Sequence, residues 1–86
     1  MTLYGYCFYN KKVGAYTAPQ FEPYNKDLKV EMMKRAYLQV DDKQRAQLNE
    51  SDFYFIGEFN DANGQFTLSD KPEFLMSFSG IQDGKD

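Results

Sequence analysis

Residues 49–68 read NESDFYFIGEFNDANGQFTL and decide the fold of this chain. The run 53–59 is short, aromatic and bounded by polar residues, which is typical of a half-buried β-strand. The next five residues, 60–64, contain Asn-Gly and an aspartate, the residue types that a tight reversal of the backbone needs. Alternation of apolar and polar residues resumes at 65–68, so the whole stretch predicts a β-hairpin.

The N-terminal part of the chain predicts a second hairpin. Residues 2–9 alternate as a strand does, so that even-numbered and odd-numbered side chains lie on opposite faces. A turn over 10–14 and a short return strand over 15–17 follow it. Pro19 and Pro23 end the return strand, because proline has no N–H to donate to a neighbouring strand.

An amphipathic helix is predicted over 26–40. Asn25 suits the N-cap, and Asp27 lies in the first turn, where the helix dipole favours an acidic side chain. Apolar residues recur every four positions along one stripe of this helix: Leu28, Met32, Ala36 and Val40. A shorter helical turn is predicted over 43–48, capped by the acidic pair before it.

The element order strand–strand–helix–strand–strand (ββαββ) predicts an α+β fold. It consists of a small antiparallel β-sheet of two hairpins, with one main amphipathic helix packed on one face. Residues 1–79 form a single domain in this interpretation, and 80–86 form a frayed C-terminal tail. The segment 74–78 fits either a last strand or a short helical turn.

The central strand is apolar on both faces, although only one main helix is predicted to cover the sheet. We expect Tyr54 and Ile56 to pack against that helix. Phe53, Phe55 and Phe59 then line the opposite face as a dimer or partner surface, unless the C-terminal segment covers them.

The composition speaks against an enzyme. The chain has no histidine, the usual acid–base group near neutral pH and the usual metal ligand. Its single cysteine, Cys7, cannot form an internal disulfide, and no paired spacing of zinc ligands occurs. We therefore expect no catalytic residues, no metal and no cofactor. Without a signal-like start or a run of 18 apolar residues, we expect a cytoplasmic protein with no membrane partner.

The net charge of −3 is unevenly distributed. Residues 1–45 carry eight Lys and Arg against five Asp and Glu, whereas residues 46–86 carry two against eight. A basic turn beside aromatic strand residues is typical of single-stranded nucleic-acid binding, in which bases stack on rings and amines contact phosphates. The candidate nucleic-acid-binding residues are Tyr4, Tyr6, Tyr9, Lys11, Lys12, Tyr16, Lys34 and Arg35. The alternative is that the rings form the core and the charges are solvated.

The block FYxIGEFN at 53–60, followed by a glycine-containing turn and by Pro72, resembles the small nonstructural protein of gokushovirus-type microviruses. These are tailless icosahedral phages with single-stranded DNA genomes. The start of the chain is similar too, with a Tyr-rich strand, a Pro–Phe segment at 19–24 and the helix opening NKD at 25–27. The resemblance covers most of 2–76, and IGEF is its specific part.

The resemblance implies a protein of the infected bacterial cytoplasm that is absent from the virion. It further implies a role in viral genome replication, in the switch toward single-stranded DNA synthesis and packaging. Asn60 replaces the more usual aspartate and Lys26 interrupts the Asn-Asp helix start, and we expect neither to change the fold.

Two functions follow as expectations. The first is single-stranded DNA binding. The second is a homodimeric adaptor that modulates the phage replication initiator or a host factor without touching DNA. The expected partners are therefore single-stranded DNA, a second copy of the chain, or a phage or host replication protein.

Overall fold

The structure, a computed structural model, describes residues 1–80. The strands are β1 (Thr2–Asn10), β2 (Ala15–Tyr16), β3 (Gln20–Glu22), β4 (Ser51–Asn60) and β5 (Gln65–Ser77). The helices are α1 (Lys26–Gln39) and α2 (Asp42–Asn49), and a 3-10 turn spans Phe78–Gly80. The α+β class with an antiparallel sheet is confirmed. The order is βββααββ rather than ββαββ, because β3 is an additional strand and the short helical turn predicted over 43–48 is a second helix, α2. Most of the predicted frayed tail, 81–86, lies outside the described residues.

Both hairpin turns are built in the same way, from an asparagine and a glycine four positions later. The N–H of Gly14 donates to the carbonyl of Asn10, and that of Gly64 donates to the carbonyl of Asn60, each at 2.7 Å. The two glycines have φ of +79° and +75°, a conformation that side-chain-bearing residues rarely adopt. Each asparagine side chain also accepts a backbone N–H within its turn. The second of these turns joins β4 to β5, which pair as antiparallel strands.

α1 begins at the predicted residue, Lys26, and α2 begins at Asp42, one residue before the helical turn predicted over 43–48. The side chain of Asn25 accepts the N–H of Leu28 at 2.9 Å and caps α1. The side chain of Asp41 accepts the N–H of Gln44 at 2.8 Å and caps α2. Each cap satisfies an N–H that has no partner within the helix.

The sheet has the strand order β2-β1-β4-β5, and β3 also pairs with β1. The long ladder joins β1 to β4 and runs from Thr2 opposite Asn60 to Asn10 opposite Ser51. β5 lies on the outer side of β4, and within the described residues it pairs with no other strand. Pro72 is tolerated inside β5 because an edge strand needs no donor on its free side.

A β-bulge interrupts the central ladder and changes which side chains share a face. Gly5 pairs with Gly57 and Tyr6 pairs with Phe55, so Ile56 is an extra residue in β4. Gly57 has φ of +146°, which only glycine adopts readily. Phe55 and Phe59, four positions apart, consequently lie on opposite faces of the sheet.

The core lies between the sheet and the two helices. Its buried side chains are Tyr6, Tyr37, Phe53, Phe55, Met76 and Phe78. Phe53 is 1% exposed and Phe78 is fully buried. Tyr37 connects the layers, because its ring lies 5.9 Å from that of Phe78 and its hydroxyl donates to the side chain of Asn49 at 2.7 Å.

The prediction that Phe53 and Phe55 line an uncovered face is wrong. Both rings are buried beneath the helices, while Tyr54 and Ile56 lie on the opposite face. Alternating residues of β4 are apolar in both registers, so the pattern does not decide which set faces the helices. Phe59 does lie on the uncovered face, because the bulge moves it there.

We predict that Phe53→Ala lowers the free energy of unfolding by about 3–5 kcal/mol, because it leaves a cavity in the core. Phe74→Ala serves as the control, since Phe74 is 55% exposed and its loss opens no cavity. Urea unfolding measures both variants, with Phe53→Leu as a milder substitute if the alanine variant does not fold. An equal loss in Phe74→Ala and Phe53→Ala would contradict this assignment of the core.

We predict that Gly57→Ala destabilises the protein more than Gly64→Ala does. Both glycines have positive φ, which costs alanine about 1–2 kcal/mol. At Gly57, an added Cβ would also lie 2.6 Å from the carbonyl oxygen of Thr67, whereas at Gly64 it would meet nothing within 4 Å. Thermal unfolding of the two variants decides the order, and similar losses would show that β4 and β5 separate easily at the bulge.

Candidate nucleic-acid interface

The sheet face opposite the helices carries a row of four rings, one from each of the strands β2, β1, β4 and β5. We call Tyr16, Tyr9, Tyr54 and Phe74 the aromatic row. Ring centroids are 4.7 Å apart for Tyr9 and Tyr16, 5.5 Å for Tyr16 and Tyr54, and 5.8 Å for Tyr54 and Phe74. The row crosses the four strands obliquely, because Tyr54 lies opposite Cys7 and not opposite Tyr9.

Strand pairing explains why the rings meet. Tyr9 lies opposite Tyr16, and Tyr54 lies opposite Phe74, so each pair shares the same face. Neighbouring strands are about 4.8 Å apart, which brings rings from adjacent strands into contact. Tyr16 is 49% and Phe74 is 55% exposed, so the row is accessible from solvent. Rings with accessible faces are able to stack with planar groups.

Cys7 lies opposite Tyr54 on the same face and is 4% exposed. Burial raises the pKa of its thiol, which favours the neutral form. A neutral, buried thiol is a poor nucleophile and behaves as a small apolar side chain. The buried thiol of Cys7 therefore belongs to the apolar layer beside the aromatic row and does not act as a reactive group.

A second group of rings lies toward the other end of this face. We call Phe21, Phe59 and Phe66 the phenylalanine cluster. Phe66 lies 4.7 Å from Phe59 and 5.7 Å from Phe21, measured between centroids. Phe21 can approach the sheet because Gly5 lies beneath it, where an added Cβ would be 2.6 Å from the Phe21 ring. The cluster has no hydroxyl groups, in contrast to the three tyrosines of the row.

The charges beside the aromatic row are nearly balanced. Lys11 and Lys12, in the β1–β2 turn, lie 3.5 Å from the carboxylates of Asp52 and Glu50. Pairs that are this long and partly exposed contribute little to stability, so the amines can turn toward another anion. Lys71 lines an open hollow beside the row, together with Tyr16, Tyr54 and Phe74 among others. The same hollow is also lined by acidic residues, Asp70 and Glu73.

The environment of Tyr54 within the aromatic row changes the pKa of its phenol. Its pKa is raised above the ordinary value by desolvation, with further contributions from the nearby Tyr16 and Asp52. A phenol is neutral at physiological pH, and the raised pKa extends the neutral form of Tyr54 to more alkaline conditions.

The structure brings together half of the predicted nucleic-acid-binding residues. Tyr9 and Tyr16 are in direct contact, and Lys11 and Lys12 lie in the turn that joins their strands. These four residues are close in sequence and share one hairpin, which is why local reasoning placed them together.

The other four predicted residues do not join them. Tyr6 is 3% exposed, its hydroxyl donates to the carbonyl of Tyr24 at 2.6 Å, and its ring stacks on Phe53, so it is not available to a base. Tyr4 lies on the helix side and packs against the core. Lys34 and Arg35 are exposed on α1, which covers the opposite face of the sheet. The predicted site is therefore divided between two sides of the molecule.

Three residues of the candidate interface were not predicted from the sequence: Tyr54, Phe74 and Lys71. Tyr54 alternates with Phe53 and Phe55, and that alternation is a signal that these rings lie on different faces. Phe74 joins the row only through its pairing with Tyr54, twenty positions earlier in the chain. No local pattern contains that information.

An ion pair with its two charged groups in direct contact lies on the helix side of the sheet, away from the aromatic row. The amine of Lys29 in α1 is 2.6 Å from a carboxylate oxygen of Glu22 in β3, and the two side chains are 13% and 28% exposed. The pair borders a cavity of about 350 Å³. Because each charge already has its partner, we interpret the pair as a connection between β3 and α1.

The part of the chain that the structure describes contains no group of three or more residues suited to hold a metal ion. No helix within residues 1–80 is long and apolar enough to cross a membrane. Comparison with protein-family models, with curated proteins and with solved structures found no match.

We predict that Tyr6 is among the last tyrosines to ionise. Desolvation by burial raises its phenol pKa well above the ordinary value of 10.0. The folded state then binds this proton more tightly, so the stabilisation is complete below about pH 10 and is lost as pH rises toward the higher folded value. Tyrosinate absorbance during alkaline titration measures this ionisation.

Tyr6→Phe should remove one late-ionising group from the seven tyrosines. If Tyr6 ionised near the ordinary value of 10.0, the burial of its phenol in the core would be contradicted.

Proposed function

We propose that this chain is a non-enzymatic protein that binds single-stranded DNA during the replication or packaging of a single-stranded DNA phage. The observation that carries the proposal is the aromatic row, four rings in contact on a sheet face that α1 and α2 leave uncovered. Binding of single strands by rings on an open sheet is sequence-tolerant, because every base has a face that can stack.

Stacking supplies most of the affinity in this proposal. Each base stacked on an aromatic side chain contributes about 1–3 kcal/mol. The two best exposed rings, Tyr16 and Phe74, therefore provide about 2–6 kcal/mol if each holds one base. That range corresponds to dissociation constants from about 30 mM to about 40 μM, so a single row needs additional contacts for tight binding.

The phosphate contribution is small in this proposal. Three amines lie near the row, and two of them, those of Lys11 and Lys12, are already beside carboxylates. A protein that neutralises two or three phosphates of a single strand has a salt slope of about −1.4 to −2.1 in log K against log salt. Affinity should therefore fall only modestly with salt, unlike that of a strongly basic protein.

The resemblance to the small nonstructural protein of gokushovirus-type microviruses supports the biological setting. A phage of this kind must coat, copy and package single-stranded DNA, so a surface that stacks with bases would have a ligand in the infected cell. The infected bacterial cytoplasm and the absence from the virion remain parts of the proposal, and they rest on that resemblance.

We predict that an unlabelled oligothymidylate quenches the tyrosine fluorescence of the protein, which contains no tryptophan to mask it. Replacing Tyr16 and Phe74 together by serine should weaken binding by about tenfold or more, since two stacked bases are lost. Lys71→Ala should weaken it less and reduce the salt slope by about 0.7.

Leu28→Ser is the matched control, because it removes an apolar side chain about as exposed as Tyr16, 50% against 49%, from α1 on the opposite side of the sheet. Its DNA affinity should equal that of the unaltered protein. Failure of the unaltered protein to bind at low salt would refute single-stranded DNA as the ligand. Equal losses in the row variant and in Leu28→Ser would refute the row as the site.

A protein–protein adaptor is the second candidate, and the charge balance is the observation that favours it. The net charge is −3, and residues 46–86 contain eight acidic and two basic residues, an unfavourable balance for phosphate contact. In this reading the apolar face contacts the phage replication initiator or a host factor. Light scattering with and without oligonucleotide separates the candidates, because an adaptor keeps the same mass when DNA is added.

A further inference from the structure

The outer edge of β5 is divided into two parts of different chemistry. Residues 65–68 and 73–77 pair with β4, whereas 69–72 form an insertion opposite Ile56. The insertion contains Asp70, Lys71 and Pro72, which discourage another strand from adding to an edge. Residues 65–68, read QFTL, contain neither a charge nor a proline.

The edge over 65–68 is also exposed and apolar. All four residues are exposed, Phe66 at 55% and Leu68 at 62%. An exposed edge of this composition is a template for pairing with another strand. The opposite edge of the sheet is formed by β2 and β3, which have two and three residues, and very short edge strands are protected by their length.

We propose that a second copy of this chain pairs with the protein along 65–68, antiparallel and centred on Thr67. In this register Thr67 lies opposite Thr67 of the second copy, and Phe66 lies opposite its Leu68. Two apolar pairs therefore flank a threonine pair across a twofold axis, and both kinds of cross-strand pair are favourable. The free N–H groups of each edge then donate hydrogen bonds to the free C=O groups of the other.

The chemistry of the segment favours a second copy over another partner. A twofold contact uses the same surface on both molecules, so the surface must be complementary to itself. A charged segment would place like charges across the axis, whereas 65–68 has none. Asp70 and Lys71 come opposite the β4–β5 turn of the second copy in this register, and neither meets its own equivalent.

The pairing also continues the aromatic face. An axis perpendicular to the sheet keeps the helices of both copies on one side and joins the two uncovered faces on the other. Phe66 and Leu68 then extend the phenylalanine cluster of one copy into that of the next. The two aromatic rows lie on one continuous ten-stranded sheet.

The contact area predicts a weak, reversible dimer. Phe66 and Leu68 each leave roughly 100 Å² exposed, so the two copies bury roughly 400 Å² of these side chains in addition to the strand edges. Stable interfaces bury about 1,200–2,000 Å². We therefore expect the monomer, of 10.1 kDa, to predominate at low concentration and the dimer at high concentration.

The experiment is a cysteine cross-link without DNA. Directly opposed residues of antiparallel strands have Cα atoms about 4.5–5.5 Å apart, within the range that a disulfide spans. Thr67→Cys should therefore form a covalent dimer on mild oxidation. The native Cys7 is 4% exposed and does not compete. Thr67 itself is exposed, so the substitution leaves the core intact.

Ala62→Cys and Val13→Cys are the matched controls, because both positions are exposed and lie in turns away from the axis. Thr67→Cys should cross-link about tenfold faster than either, since pairing raises the local thiol concentration. Equal rates for the three variants would overturn the proposal.

A second measurement needs no oxidation. The mass from light scattering should rise toward twice the monomer value as concentration increases from about 20 μM to about 1 mM. Thr67→Lys should remain monomeric over this range, because two ammonium groups would face each other at the axis, whereas Val13→Lys should behave as the unaltered protein does. A monomeric unaltered protein, or a dimer unaffected by Thr67→Lys, would overturn the proposal.

These measurements are independent of the proposed function. The double variant Tyr16→Ser and Phe74→Ser should still form the dimer, because the aromatic row lies outside 65–68. Loss of the dimer in that variant would show that the copies meet through the row and would overturn pairing at the edge.

Discussion

The ladder between β1 and β4 is the interaction on which the rest of the structure depends. It joins the first strand of the chain to the central hairpin from Thr2 opposite Asn60 to Asn10 opposite Ser51. Both strands are apolar on both faces, so the ladder creates two aromatic surfaces at once. α1 and α2 cover one of them, and within residues 1–80 rings such as Tyr16 and Phe74 on the other stay exposed. The exposed rings are thus a consequence of the central pairing.

Local features of the fold could be predicted from the sequence because the residues that cause them are adjacent. The turns at 10–14 and 60–64 follow from asparagine and glycine at fixed spacing, and the caps Asn25 and Asp41 each bond to an N–H three residues later. β3 was not predicted, because its three residues become a strand only by pairing with β1. The physical cause of β3 is tertiary contact, which no short window of sequence contains.

The faces of β4 and the composition of the interface could not be predicted for a related reason. A strand with apolar residues at every position gives no preference for one register, and a slip of one residue exchanges the two faces. Tyr9 and Tyr16 were found because one turn joins them. Tyr54 and Phe74 were missed because their place depends on the registers of three strands and on the bulge at Ile56.

The aromatic row and the free edge become more effective together than either is alone. One row offers two well-exposed rings and few free amines, so in the proposed function it would bind a single strand of DNA weakly. Two rows on one continuous sheet would bind the same strand twice, and the second contact would occur at the high effective concentration set by the first. Because the two equilibria are linked, DNA would raise the dimerisation constant by the same factor by which dimerisation raises the affinity for DNA. A weak edge contact therefore suits this arrangement, because assembly would follow the appearance of single-stranded DNA.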